Sequence, residues 1–328
     1  MKKDFFDIVE LIQVARENAI RKVNEELILL YWNVGKYISE RLEVQRWGSS
    51  YIDELALYIS ANCLGIKGFN RRGLYRMKQF YETYRVNEFV STVLTQISWS
   101  NHLAILSSSK TDEEREFYIK LCVKERYSAR ELQRQLDSGY FERYMLSTDK
   151  LVPASLGGSI KTNFLDTYVL EFLNLPERFS ENDFKKAIIS NLKDFILEIG
   201  KDFTFVGEEF RIMVGNSDYY IDLLFYHREL ACLVAFELKI GAFKPEYIGK
   251  LNFYLEVLDR DYKKSSENPS VGVILCTSKD DEVVEFALSR SLSPTLVSEY
   301  KLKLIDRKLL RQKLHELSEM AEFKQIGE

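Results

Sequence analysis

The chain has 328 residues, 46% of them hydrophobic and 29% charged, the profile of a globular protein long enough for two domains. That excludes disordered and collagen-like classes. The longest uninterrupted apolar run, Leu230 to Phe236, is far short of the ~20 residues a membrane span requires, so no membrane partner is expected. Met1 to Asp7 has basic residues but no apolar stretch behind them, which does not read as a secretory signal, and a cytoplasmic location is expected.

The net charge of −4 is unevenly spread, +2 over residues 1–150 and −6 over residues 151–328. Cys63, Cys122, Cys232 and Cys276 lie far apart in apolar surroundings with no C-x-x-C pair, and read as reduced core residues. His102, His227 and His315 are the only histidines, and none sits in a nucleophile-elbow context. Any chemistry is expected to rest on carboxylates and lysine.

The first 137 residues show helical periodicity, as in Val23, Leu27, Leu30, Val34 and Ile38. Within them, Lys67 to Arg85 carries six basic residues against the single acid Glu82. Arg71, Arg72, Arg76 and Lys78 alternate there with Phe69, Tyr75, Phe80, Tyr81 and Tyr84, while Leu74, Met77 and Phe80 can pack inward. Such a helix suits phosphate contacts; a solvated basic face on a helical bundle is the plainer alternative. Ser128-Ala-Arg-Glu131 is a capping box opening a helix to about Leu136 or Asp137.

From Tyr144 to Asn163 the periodicity fails and Pro153, Gly157 and Gly158 accumulate, which predicts a linker. The expected division is a helical domain over 1–143, a linker over 144–165 and a second domain over 166–328. In the latter, Ser180-Glu-Asn-Asp183 caps a helix running through Phe184, Ile188, Leu192, Phe195 and Ile199 to Gly200. Extended segments follow at about 203–214, 219–226 and 230–240. A helix opened by Pro245, a strand over 271–277, a helix capped by Ser278 and a tail helix over 306–323 complete the chain. The αβββαβ order predicts an α/β domain in which the third and fourth strands run parallel through a helical crossover.

Leu230 to Ile240 is nearly continuous in apolar residues yet holds Glu237 and Lys239, two apart and so on one face. The strand before it holds one central charge, Asp222. A hairpin turning at Arg228-Glu229 would set Asp222 opposite Ala235 and diagonal to Glu237 on the same face, a separation one divalent cation could bridge. Two hard carboxylates and an ammonium suit metal-assisted phosphodiester hydrolysis, with magnesium the natural first cation. A buried ion pair of the same residues is the bland reading.

Residues 218–258, containing Tyr219-Tyr-Ile-Asp-Leu-Leu-Phe-Tyr226 and Val234-Ala-Phe-Glu-Leu-Lys-Ile-Gly-Ala-Phe-Lys-Pro-Glu-Tyr247, resemble the core of YhcG-type proteins, a branch of the PDDEXK nuclease superfamily. The likeness extends through Asn268 to Cys276 and Lys279 to Leu288. In the first half it rests on Leu30 to Gly35, Phe69 to Tyr81 and Ile97 to His102.

The resemblance implies a helical, winged-helix-like N-terminal domain followed by a restriction-endonuclease-like core. It implies a Mg2+-dependent deoxyribonuclease, with Mn2+ able to substitute and DNA as the partner. Asp222 and Glu237 would bind the metal, Lys239 would be the catalytic lysine, and Glu198 would be a further acid from the helix before the sheet. The positions where relatives often carry glutamine and tyrosine read Lys250 and Tyr254, which would meet substrate, as would Arg71, Arg72, Arg76 and Lys78. Lys250 in place of glutamine also motivates a rival expectation: a catalytically weak or inactive DNA-binding or complex-assembly protein that keeps the fold. Hydrolysis of RNA or a small nucleotide fits the same metal chemistry, and homo-oligomerisation is left open. His102 is expected to be a structural hydrogen-bonding residue at a helix start.

Overall fold

The computed structural model describes residues 2–44, 50–86, 93–148, 163–289, 291 and 293–326. They fall into two compact units, 1–136 and 137–328. The first consists of helices α1 (Lys2–Val44), α2 (Ser50–Asn62), α3 (Arg71–Tyr84), α4 (Trp99–Ser108), α5 (Asp112–Glu125) and α6 (Ala129–Asp137), with a short 3-10 turn at Leu94–Gln96. No strand occurs among its described residues, so the hairpin wing of a winged helix is not found among them. No described helix is long and apolar enough to cross a membrane.

Apolar spacing on α1 and α3 explains their crossing. Tyr31, Ile38, Leu74 and Met77 bury against Ile52 of α2, with Trp32, Phe80, Tyr81 and Trp99 in edge-to-face contact alongside. Gly35 makes the approach possible, because a Cβ there would lie 2.1 Å from the Met77 carbonyl oxygen. His102 follows the Ser98 cap, bonds the Leu94 carbonyl at 2.9 Å through Nε2 and is fully buried, which pushes its pKa down to about 4. The capping box forms as its sequence predicts: the Ser128 amide donates to Glu131 Oε2 at 2.8 Å, and the Glu131 amide donates to Ser128 Oγ at 3.4 Å. Cys63 departs from expectation in being exposed, while the other three cysteines are buried.

The second unit begins earlier than the predicted linker. Helix α7 (Tyr140–Thr148) occupies the first residues of that segment, and 149–162 lie outside the described residues. Its ties explain the early division. Arg143 donates to the carbonyls of Ser138 and Thr167, and the buried Glu142 Oε1 accepts from Arg307 and Arg311.

After α7 come β1 (Thr167–Val169), α8 (Glu181–Ser190), α9 (Leu192–Ile199), β2 (Phe203–Val214), β3 (Ser217–His227) and β4 (Cys232–Leu238). Then follow α10 (Glu246–Val257), β5 (Val271–Cys276), α11 (Asp281–Leu288), β6 (Thr295–Lys301) and α12 (Arg307–Ile326). The sheet order is β1-β6-β5-β4-β3-β2, antiparallel across β2, β3 and β4 and parallel across β4, β5, β6 and β1. Helices α8 and α9 cover one face through Phe184, Ile188, Phe195 and Ile199; α10 covers the other through Ile248, Leu251, Tyr254 and Leu255. Cys232, Val234, Phe236 and Leu238 point into the first core, and Leu233 and Ala235 into the second, so β4 is apolar because both its faces are covered.

Three details depart from the predicted elements. The single helix expected over 184–199 breaks at Asn191, whose side chain donates to the Ala187 carbonyl. Asp280, not Ser278, caps α11, accepting from the amides of Glu282 and Val283; Lys279 just before it is drawn to Asp166 and the Val297 carbonyl. The short β1 and the edge-proximal β6 extend the parallel part of the sheet beyond the αβββαβ core.

Because a Cβ at position 35 meets backbone rather than a yielding side chain, Gly35→Ala is expected to destabilise the helical unit by about 2–3 kcal/mol or more. Urea unfolding followed by far-UV circular dichroism would check it, and an unchanged midpoint would disprove the close crossing.

Candidate active site

The carboxylates of β3 and β4 owe their meeting to the turn between those strands. His227 pairs with Cys232 and Leu224 with Ala235, so the turn spans Arg228 to Ala231, longer than the tight Arg228-Glu229 turn predicted. Ala231 adopts a left-handed conformation with φ 46°. The wider turn is held from outside: Asn268 Nδ2 donates to the Leu230 carbonyl and the Asn268 amide to that of Ala231, while the Leu230 amide donates to His227 Nδ1. The expected register is therefore corrected. Ala235 faces Leu224, not Asp222, and continuing the ladder past Leu223 and Phe236 sets Asp222 directly across from Glu237. The correction shifts partners by two positions and so preserves the face.

At that point a side chain takes over from the backbone ladder: the Leu238 amide donates to Asp222 Oδ2 at 2.9 Å. Glu237 is fully buried, on the alternation of Leu233 and Ala235 that faces α10. Its Oε1 accepts from Lys239 Nζ at 3.0 Å and from Lys250 Nζ of α10 at 2.6 Å. Its Oε2 is buried with no hydrogen-bond partner among the described residues. Lys239 also reaches Glu181 Oε2 on the first turn of α8 at 3.2 Å and lies over the Tyr247 ring. Lys250 lies over the ring of Tyr254, one helical turn along.

The electrostatics follow from burial beside like charge. Asp222 is held above the usual carboxylate range, first by desolvation and then by the neighbouring Glu237 charge, despite the Leu238 amide and the two lysines. Desolvation alone would lower Lys239 and Lys250, but their bonds to Glu237 outweigh it and raise both above the ordinary lysine value. Both shifts favour the ammonium form in the arrangement seen here.

Asp222, Glu237, Lys239, Lys250 and Tyr254 are thus brought together. Glu198 is not. It lies on α9, whose apolar face packs against the opposite side of the sheet. Fully buried there, its Oε1 accepts from Arg143 Nη1 at 2.6 Å and from the Val169 amide at 2.8 Å. Glu181 is the acid from the helical layer that touches the site, and sequence reading missed it because it opens the helix inside a capping box, where an acid has a sufficient local explanation.

In the helical unit, Asn70 caps α3 and the predicted cations separate into two kinds. Arg71 pairs with Asp53 at 2.8 Å, and Lys78 pairs with Glu82 at 2.7 Å. Arg72, exposed, and Arg76, half-buried, make no ion pair among the described residues.

Two carboxylates, one with a buried unpartnered oxygen, form a hard donor set that fits a sparsely ligated divalent cation such as magnesium. No group of three or more His, Cys, Asp or Glu side chains suited to a metal occurs among the described residues, so the remaining positions would fall to water and substrate oxygens.

The Glu198 assignment has a direct test. Glu198→Ala leaves Arg143 buried and unpaired, which is expected to cost about 3–5 kcal/mol in urea unfolding. An unchanged midpoint would contradict a structural role for this carboxylate.

Comparison with known proteins bears on both units. Residues 161–315 match the family model of the YhcG PDDEXK nuclease domain, and residues 7–143 match that of the DUF1016 N-terminal domain. The chain is 32% identical to the YhcG protein of Escherichia coli (strain K12) over 344 aligned positions, covering 94% of this chain and 92% of that one. Among solved structures, a repair endonuclease from Pyrococcus abyssi aligns over 39% of this chain and 50% of its own, with 16% identity and a TM-score of 0.28. EndoMS in its apo form aligns over 39% and 49%, with 19% identity and a TM-score of 0.27. A near-full-length match carried by both units, with the Asp222, Glu237 and Lys239 arrangement inside the matched nuclease domain, shows that the chain belongs to the YhcG family of PDDEXK nucleases.

Proposed function

We propose that this chain is a metal-dependent deoxyribonuclease in which Asp222 and Glu237 hold a divalent cation, Mg2+ or Mn2+, and the helical unit brings DNA to it. The observation that carries the reading is the buried, unpartnered Glu237 Oε2 beside Asp222, an orphan costly to keep unless something of positive charge completes it.

When bound, the cation would polarise a phosphoryl oxygen and lower the pKa of its water. The chain's own residues supply the rest. Lys239, fixed between Glu237 and Glu181, brings an ammonium group to the negative charge developing on the phosphate. The bond from the Leu238 amide fixes the Asp222 carboxylate, so that orienting it costs little at the moment of reaction. Arg72 and Arg76, having no acidic partner among the described residues, are the cations of α3 available to phosphates, whereas Arg71 and Lys78 are engaged with Asp53 and Glu82.

A second reading, a weak or inactive member that binds DNA, is favoured by one observation: Lys250 sits on the Glu237 carboxylate at 2.6 Å. Incubation with supercoiled plasmid, linear duplex and a four-way junction in Mg2+ or Mn2+, with EDTA controls, separates the two. The nuclease reading predicts cutting that EDTA abolishes and that Asp222→Ala reduces by at least ~100-fold while circular dichroism stays unchanged. Retention of DNA in a gel shift without cutting would favour the second reading. Arg72→Ala and Arg76→Ala are expected to weaken DNA binding and to lower the slope of log affinity against log salt by about 1 each. Unaltered salt dependence would remove α3 from the interface.

A further inference from the structure

The two lysines on Glu237 are not equivalent. Lys239 is 13% exposed in its side chain and bonded to two carboxylates, Glu237 and Glu181. Lys250 is 46% exposed, and among the described residues Glu237 is its only ion-pair partner. Both converge on Oε1, leaving Oε2 without a bond. In this arrangement both ammonium groups are engaged on one oxygen of Glu237, and Lys239 is shared with Glu181, so Lys250 is the cation given to Glu237 alone. A divalent cation entering beside both carboxylates would compete with these ammonium groups for Glu237, and their charge would oppose its binding. The group able to leave is Lys250: it sits at the rim, on a helix, with a flexible four-carbon stem and half its side chain in water. What a released ammonium needs is another anion, and the substrate of a nuclease supplies phosphates at this rim.

We infer that Lys250 is a positioning residue that acts as an internal counter-ion. It closes the Glu237 carboxylate while DNA is absent and transfers to a substrate phosphate when DNA arrives, so that cation binding and DNA binding are coupled through this side chain. The inference rests on Asp222 and Glu237 being the cation ligands. Coupling of this kind is reciprocal: DNA raises cation affinity by the same factor by which the cation raises DNA affinity. Glutamine at position 250 could still hydrogen-bond Glu237 but would not cancel its charge, so it would leave the carboxylate open to a cation and remove the link to DNA.

The test is titration of the full chain with Mn2+, reading free Mn2+ by electron paramagnetic resonance, with and without a saturating short duplex. DNA-only blanks are subtracted, and duplex integrity is verified on a gel afterwards. For the wild type, DNA is expected to tighten Mn2+ binding by about tenfold, within the usual range of coupling factors. Lys250→Gln in the absence of DNA is expected to bind Mn2+ about tenfold more tightly than the wild type and to gain little from DNA. Lys250→Arg, which keeps the charge, is expected to bind Mn2+ without DNA as the wild type does. Equal Mn2+ affinity of Lys250→Gln and wild type in the absence of DNA would overturn the inference, as would a Lys250→Gln variant that still gains the full factor from DNA. Glu237→Ala reports on the underlying reading instead: Mn2+ binding undiminished in that variant would show that the cation binds elsewhere.

Discussion

A carboxylate buried in the middle of a sheet is the constraint around which this domain is arranged. Glu237 stands on a strand covered on both faces, fully removed from water, and an isolated charge there would be severely penalised. Every element near it answers that penalty. Lys239 emerges two residues on, where β4 gives way to the loop before α10; α10 contributes Lys250; and α8 contributes Glu181, which holds Lys239 in place. The compensation is incomplete by one oxygen, and Asp222 is placed so that its own ionisation is disfavoured. A purely structural ion pair would have no reason to keep a second carboxylate beside the first, since like charge at this range destabilises the fold. A buried carboxylate oxygen left without a partner beside a second carboxylate is the feature that the proposed cation would complete.

The rest of the domain can be understood as fixing the distance between those two carboxylates. Side chains on a strand alternate, so a slip of one residue between β3 and β4 would send Asp222 to the wrong core, whereas a slip of two preserves the face. The turn from Arg228 to Ala231, tied by Asn268 and His227, fixes which of the permitted registers is adopted. Beyond Leu223 the ladder gives up backbone pairing and the Leu238 amide bonds the Asp222 carboxylate instead, which turns a ladder position into an anchor for a functional group. On the far side, β4 is held by parallel pairing to β5, and the Lys239 amide continues that pairing by donating to the Leu275 carbonyl. Gly272 on β5 lets α10 lie close, since a Cβ there would press on Leu251, and that closeness brings Lys250 within reach of Glu237.

What the sequence made legible was the part governed by periodicity and by charges out of place. Glu237 and Lys239 in a strand otherwise apolar, and Asp222 in the strand before it, are visible because a charge in a doubly covered strand contradicts its surroundings. Capping boxes at Ser128 and Ser180 were readable because their chemistry is local. The exact register was not, because it depends on Asn268, a residue remote in sequence that bonds the turn from another part of the chain. β1 escaped notice for a similar reason: a strand as short as Thr167–Val169 has too few residues to show alternation, and it exists through its parallel pairing with β6. The break at Asn191 depends on a side chain competing for a helix carbonyl, which hydrophobic spacing does not record.

The two acids of the helical layer show where sequence spacing loses its power. Glu198 and Glu181 both precede the sheet, and nothing in their own neighbourhoods distinguishes a ligand from a structural carboxylate. Tertiary partners do. Glu198 faces the buried Arg143 and the Val169 amide, so its carboxylate ties α9 to α7 and to β1. Glu181 stays half-exposed and spends its charge on a lysine that already has a carboxylate. One acid therefore binds the scaffold together, and the other keeps Lys239 in place beside the carboxylate pair. The same residue type at two ends of one helical layer does different work because each answers a different uncompensated charge, and those charges become neighbours only when the sheet forms between them.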